Sequence, residues 1–184
     1  MINTSNTIIL IAIKDELPSI LLPGWNIQCT GVGKINATYK TMQAIKDFKP
    51  KYIINFGSAG SLKPNISGLQ EVTKFYQRDM NAVPLGFEIG ETPFDDINII
   101  SNGRNGISCS TGDNFVNQDP DIDSDLVDME AYAIAKVCIK ENIEFICFKF
   151  VSDNANKNAN IEWKANLSFG AKLFQSKLLD ELVK

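Results

Sequence analysis

Four places along this chain set acidic or small polar residues next to apolar runs or helical patterns. Asp15-Glu16 follows residues 7–13 (TIILIAI). Gly57-Ser58-Ala59-Gly60 follows residues 52–55. Asp128-Met129-Glu130 precedes a helical pattern, and Ser152-Asp153-Asn154-Ala155 follows residues 145–151 (FICFKFV). Ligands of open α/β sheets collect beyond the carboxyl ends of strands, so three of these four places put carboxylates where a ligand is expected. The chain contains no histidine. That excludes Ser-His-Asp and Cys-His catalysis and any His-ligated metal. Acid–base work falls to carboxylates, lysines, tyrosines or bound water. The four cysteines, Cys29, Cys109, Cys138 and Cys147, have neither CxxC nor zinc-like spacing and read as reduced, mostly buried thiols. No metal or cofactor is expected.

The elements that must position these residues alternate in type. Residues 7–13 have buried-strand length, and residues 25–30 suit a second strand. Gly31-Val32-Gly33 reads as a tight turn. Ile35, Thr38, Met42 and Ile45 then recur at helical spacing, marking a helix that ends near Pro50. Residues 52–55 form a short strand, and Gly57 to Gly60 read as a loop. The Gly-, Pro-, Asn- and Asp-rich middle, from about Lys63 to Asp123, holds short strands at 71–76, 97–100 and 107–110, or long loops. Ala131, Ile134, Ala135 and Cys138 lie on one face of a helix to about Glu141. Residues 145–151 are a strand with Lys149 as the odd charge. Trp163, Leu167, Phe174, Leu178 and Leu182 stripe a terminal helix. The class expected is α/β, a mixed central sheet with helices, in a single domain over residues 1–184.

Bulk properties narrow the partners. The chain is 44% apolar and 22% charged with a net charge of −4, which gives no electrostatic footprint for nucleic acid or an anionic membrane. The apolar N-terminal run is too short for a signal peptide or membrane span, so a cytoplasmic protein is expected.

Three of these places, and the Gly31-Val32-Gly33 turn leading into a helix, carry a resemblance. Gly31-Val32-Gly33-Lys34-Ile35-Asn36-Ala37, Ile54-Asn55-Phe56-Gly57-Ser58-Ala59-Gly60, Val127-Asp128-Met129-Glu130-Ala131-Tyr132-Ala133-Ile134-Ala135 and Val151-Ser152-Asp153-Asn154-Ala155 resemble, in order, the motifs of the 5′-methylthioadenosine/S-adenosylhomocysteine nucleosidases of the purine nucleoside phosphorylase superfamily. The resemblance implies a three-layer α/β/α, nucleoside phosphorylase-like fold and cleavage of the N-glycosidic bond of an adenine nucleoside by water. By position, Glu16 resembles the general base for that water and Asp153 the acid that protonates purine N7. Glu130 resembles the acceptor of the ribose hydroxyls, with Met129 packed beside it. Ser152 would orient the site, and Ser58 and Gly60 would line it near the water. Gly-Asp-Asn-Phe-Val, Gly112 to Val116, resembles the segment in which Phe115 would stack on adenine and the Val116 backbone would read the base edge. Residues 76–93 resemble a segment that crosses a homodimer interface, where Phe87 and Pro93 would line the pocket for the 5′ group.

Water and phosphate divide this superfamily. A phosphate site usually requires arginine, and hexameric phosphorylases of the superfamily carry one directly before the Gly-Ser-X-Gly loop, where this chain has Phe56. Its two arginines, Arg78 and Arg104, lie in the middle, and Arg78 is the one a loop would fold into the site. Water is favoured. A phosphate-dependent phosphorylase and a non-catalytic nucleoside-binding protein stay open. Gln77, Arg78 and Asp79 depart from the family pattern. Residues 94–111 lack a helix the family usually has, and a contraction lies between Val116 and Asp128.

Each residue also has an ordinary structural use. Glu16 would suit a helix N-terminus, Asp128 or Glu130 a helix cap, and Asp153 a cap or Asx-turn. Gly57 to Gly60 would suit a tight turn, Phe115 and Met129 the core, and Lys149 a sheet edge. Only the joint pattern favours the catalytic reading.

Overall fold

The computed structural model describes residues 1–116, 120–153 and 159–183, without the side chains of 153 and 159–167. Eight strands, β1 (Thr7–Ile11), β2 (Asn26–Cys29), β3 (Tyr52–Ser61), β4 (Gly68–Gln77), β5 (Ile100–Ser101), β6 (Ile107–Thr111), β7 (Leu126–Asp128) and β8 (Glu144–Asp153), form one mixed sheet. Its order is β2-β1-β3-β7-β6-β4-β5, with β8 between β3 and β4. Among the described residues three α-helices cover it: α1 (Lys34–Phe48), α2 (Ala131–Lys140) and α3 (Ala159–Lys177), the last continuing as a wider helical turn over Leu178–Leu182.

The helices lie on both faces, as a sheet buried on two sides requires. On one face Phe56, Phe148 and Phe150 pack with Phe174 and Leu178 of the terminal helix. On the other, Ile8, Leu10 and Ile53 pack against Ala37 and Ala44 of α1 and Ala133, Ile134 and Cys138 of α2. β1 is buried at every position, matching its uninterrupted apolar sequence.

Three sequence expectations change. Gly57-Ser58-Ala59-Gly60 is not a loop but the second half of β3, held against β8 through a bulge at Ala59/Gly60. Its small residues serve close approach rather than a turn. Of the α1 stripe Ile35, Thr38, Met42 and Ile45, only Ile45 packs on the core; the first three are exposed, and the buried face is Ala37, Thr41 and Ala44, because small side chains let α1 seat closely. Of the strand expected at 97–100 only Ile100 pairs, in β5. The Ile97 carbonyl is instead taken by Tyr132 Oη and Lys136 Nζ, and its N–H by Asp95. Gly31-Val32-Gly33 is a turn, as expected, with both glycines at positive φ. Among the described residues no helix lies between Leu85 and Ala131, and none is long and apolar enough to cross a membrane.

Candidate functional site

The site begins at a gap in the sheet. β1 accompanies β3 only to the pair Leu10↔Asn55, and β7 takes over at Gly60↔Val127. Between these points β3 has β8 on one side and no strand on the other. The chain leaving β1 turns through a short 3₁₀ helix, Lys14–Glu16, and drives the Glu16 side chain into the gap. There it is 4% exposed. Its Oε1 accepts hydrogen bonds from Ser58 N and Ser58 Oγ, both 2.9 Å, and its Oε2 from Ala12 N at 2.8 Å and Ile13 N at 3.3 Å. Four donors thus converge on one carboxylate.

Beneath this carboxylate lies a second charged group. Lys149, on the central strand β8, is 1% exposed and its Nζ is 2.8 Å from Asp128 Oδ2. Lys149 is therefore not a charge at a sheet edge. The other Asp128 oxygen accepts from Thr111 Oγ1 at 2.5 Å, and Oδ2 also accepts from Ala131 N at 2.8 Å, so Asp128 is what caps α2. Burial opposes the Asp128 charge, but Lys149 and these hydrogen bonds together hold its carboxyl below the usual carboxylate range. Burial likewise disfavours the Lys149 cation, and Asp128 with neighbouring groups outweighs it and raises the ammonium's pKa. A Cβ at Gly57 would lie 3.2 Å from Glu16 Oε1 and 3.3 Å from Lys149 Nζ. Only glycine leaves both groups this near the strand.

Glu130 faces the same space. Its Oε1 accepts from Gly33 N at 2.9 Å, at the N-terminus of α1, where backbone N–H groups and the helix dipole favour an anion. Burial, and then the nearby Asp128 and Glu16 charges, nevertheless push its pKa up to about 7, against Lys149 and the Gly33 hydrogen bond.

Glu16, Asp128 and Glu130 line one cavity of about 180 Å³. Of the residues singled out from sequence, Glu16, Ser58, Gly60, Phe115, Val116, Met129, Glu130 and Ser152 all line it. Phe115, at 64% exposure, stands at the rim and not in the core, whereas Val116 is buried. Ser152 is buried, with Oγ 3.4 Å from the Ala59 carbonyl. Asp153 ends β8 opposite Gly60, and its side chain lies outside the described residues. Asn154 and Ala155 also lie outside them. Phe87 is not among the lining residues. It packs edge-on against Phe94, ring centroids 5.7 Å apart. Among the described residues no group of three or more Cys, Asp or Glu side chains is placed to hold a metal ion.

A curated protein from Staphylococcus carnosus (strain TM300), a 5′-methylthioadenosine/S-adenosylhomocysteine nucleosidase, is 33% identical over 180 residues, covering 83% of this chain and 78% of its own. The chain belongs to the 5′-methylthioadenosine/S-adenosylhomocysteine nucleosidase family. The nucleosidase of Buchnera aphidicola subsp. Acyrthosiphon pisum (strain APS) is 31% identical over 167 residues, covering 76% of this chain and 72% of that protein. The model of the phosphorylase superfamily matches residues 12–84. Among solved structures, futalosine hydrolase of Helicobacter pylori superposes with a TM-score of 0.84 at 21% identity, covering 96% of this chain and 98% of that one. The nucleosidase of Neisseria meningitidis in complex with methylthio-immucillin-A gives 0.79 at 22%, covering 91% and 94%. These two likenesses establish the nucleoside phosphorylase fold.

Within this nucleosidase-family site, sequence reasoning missed Lys149 and Asp128 as a buried pair. A charge inside an otherwise apolar strand was the available signal, since a fully buried lysine needs a partner. Arg78 enters the cavity wall as the sequence allowed. Its Nη1 donates to the Ser110 and Asp128 carbonyls, 2.9 and 2.7 Å, and its Nη2 to those of Gly112 and Asn114, 3.1 and 2.5 Å.

Proposed function

We propose that this protein hydrolyses the C1′–N9 bond of a 5′-thio-substituted adenine nucleoside such as 5′-methylthioadenosine or S-adenosylhomocysteine, releasing adenine. The observation that carries this reading is the Glu16 carboxylate, buried in the sheet gap beside Ser58 and opening into the cavity. The attacking water binds beside Ser58 and donates a hydrogen bond to Glu16. Its oxygen attacks C1′ while its proton passes to Glu16. The C1′–N9 electrons leave with the purine, and Asp153 supplies the proton that N7 takes up. Cleavage develops positive charge on the ribose, which Glu130 and the ring of carboxylates favour. Glu130 accepts the ribose hydroxyls with Met129 against the sugar. Phe115 stacks on adenine, the Val116 backbone reads its edge, and Ser152 orients the Asp153 end.

Water is preferred to phosphate on three grounds. Phe56, before Gly57, faces the core and stacks on Phe174 at 4.4 Å. Arg104 pairs with Glu71 at 3.0 Å. All four η N–H groups of Arg78 have carbonyl partners, leaving none for the fork that binds phosphate.

The active form in this reading is a homodimer. Ile35, Tyr39 and Met42 form an exposed apolar stripe on α1, and Val32 and Phe115 are exposed at the cavity mouth. A second copy covers these and lays its Phe87 over the mouth to meet the 5′ substituent.

Two variants test the roles. Glu16→Gln and Asp153→Asn each cut adenine release by at least ~10²-fold if they are base and acid. Turnover near wild type in either removes that residue from its role.

A further inference from the structure

Arg78 ties together two walls of the cavity. One wall is the chain after β6, Gly112 to Val116, and the other is the end of β7 leading into Met129 and Glu130. Nη2 holds the Gly112 and Asn114 carbonyls on the first wall, and Nη1 bridges the two, holding the Ser110 carbonyl on β6 and the Asp128 carbonyl at the foot of the second. The arginine backbone N–H adds a bond to Thr111 O at 2.9 Å. Arg78 is 8% exposed, and among the described residues no carboxylate makes an ion pair with its guanidinium. Gly112 is shaped to it as well, since a Cβ there would meet Arg78 Cζ at 2.9 Å and Cγ at 3.0 Å.

We propose that Arg78 is a positioning residue for base recognition, a cross-brace whose planar fork sets the separation between the base-binding segment 112–116 and the sugar-binding residues Met129 and Glu130. This rests on the reading of the cavity as an adenine nucleoside site. Arginine suits the task because its donors radiate in one plane at fixed angles, so four carbonyls from two segments lock together. Lysine, a compact charge with three donors, cannot span them. The brace acts on the purine and not on the reacting bond. Losing it lets segment 112–116 drift and weakens binding and base choice before it slows chemistry.

The test is steady-state turnover of methylthioadenosine, adenosine and inosine by wild type, Arg78→Lys, Arg78→Gln and Gly112→Ala, with melting temperatures alongside. The expected result is a rise in KM for the adenine nucleosides of at least ~10-fold, from misplacement of a binding group, with kcat changed less than KM. The preference for adenosine over inosine narrows in Arg78→Gln and Gly112→Ala, and Arg78→Lys recovers only part of it. Gly112→Ala keeps the arginine while pushing its guanidinium aside, so it carries the test if Arg78→Gln does not fold. Unchanged KM and base preference in a folded variant overturn the brace. So does a loss of kcat with KM and base preference intact. A wild-type protein that releases no base from any of the three nucleosides fails the underlying reading instead, and a wild type that turns over with insensitive variants fails the brace alone.

Discussion

Lys149 Nζ lies 2.8 Å from Asp128 Oδ2, with both side chains 1% exposed. Breaking such a pair leaves a buried charge without its partner, which typically costs about 3–5 kcal/mol. Lys149→Met is therefore expected to destabilise the protein by roughly that amount. Adding Asp128→Asn restores part of the loss, since the amide still accepts from Thr111 or Ala131. Denaturant unfolding of the two single variants and the double checks this. Additive losses would show that the pair is not coupled.

Glu130 makes stability depend on pH. Its folded pKa, raised from 4.5 to about 7 chiefly by burial, lies above the unfolded value. Its contribution is thus fully present below pH 4.5 and lost as pH rises through about 7. Thermal unfolding followed across that window should decline in wild type relative to Glu130→Gln, which lacks the titrating group. Parallel profiles for the two proteins would refute the assignment.

Gly57 is expected to matter more for turnover than for folding. An added methyl would sit 3.2 Å from Glu16 Oε1 and 3.3 Å from Lys149 Nζ, so one of these must shift by a few tenths of an ångström. With Glu16 as the proposed base, Gly57→Ala should lower kcat by about 10-fold or more, because displacing that carboxylate by a fraction of its contact distance is costly, while the melting temperature changes little. A variant with wild-type kcat would mean that the Glu16 position is not critical.

What could be read from sequence follows from what is local. Glu16, Asp128, Glu130 and Ser152 were visible because strand ends and helix starts are marked by neighbouring residues, and sheet ends are where ligands sit. The buried run of β1 and the helical face of α2 were visible for the same reason. The Lys149–Asp128 pair was not, because it depends on β8 lying between β3 and β4, a pairing between segments far apart in the chain. Gly57 to Gly60 read as a loop because small residues suit turns, and only the β8 register shows that they extend β3. The exposed stripe of α1 mimicked a core face, since Ile35 and Met42 are larger than the Ala37 and Ala44 that are buried. Periodicity cannot tell a face that packs on the sheet from one left for another chain.

The exposed face also gives a prediction. Tyr39→Glu together with Met42→Lys places charges on the α1 stripe, away from the cavity lining. If a second copy covers this face, sedimentation should show a shift from dimer to monomer, and KM should rise for substrates with an apolar 5′ group as Phe87 of the partner is lost. An unchanged dimer would place the subunit interface elsewhere.

Hydrolysis by a Glu16-held water can be followed as adenine release from 5′-methylthioadenosine in phosphate-free buffer, with and without added phosphate. Adenine should be released with free methylthioribose as the other product, at a rate that phosphate does not increase and that Glu16→Gln reduces by at least ~10²-fold. Release that requires phosphate, with 5-methylthioribose 1-phosphate as the other product, would contradict it.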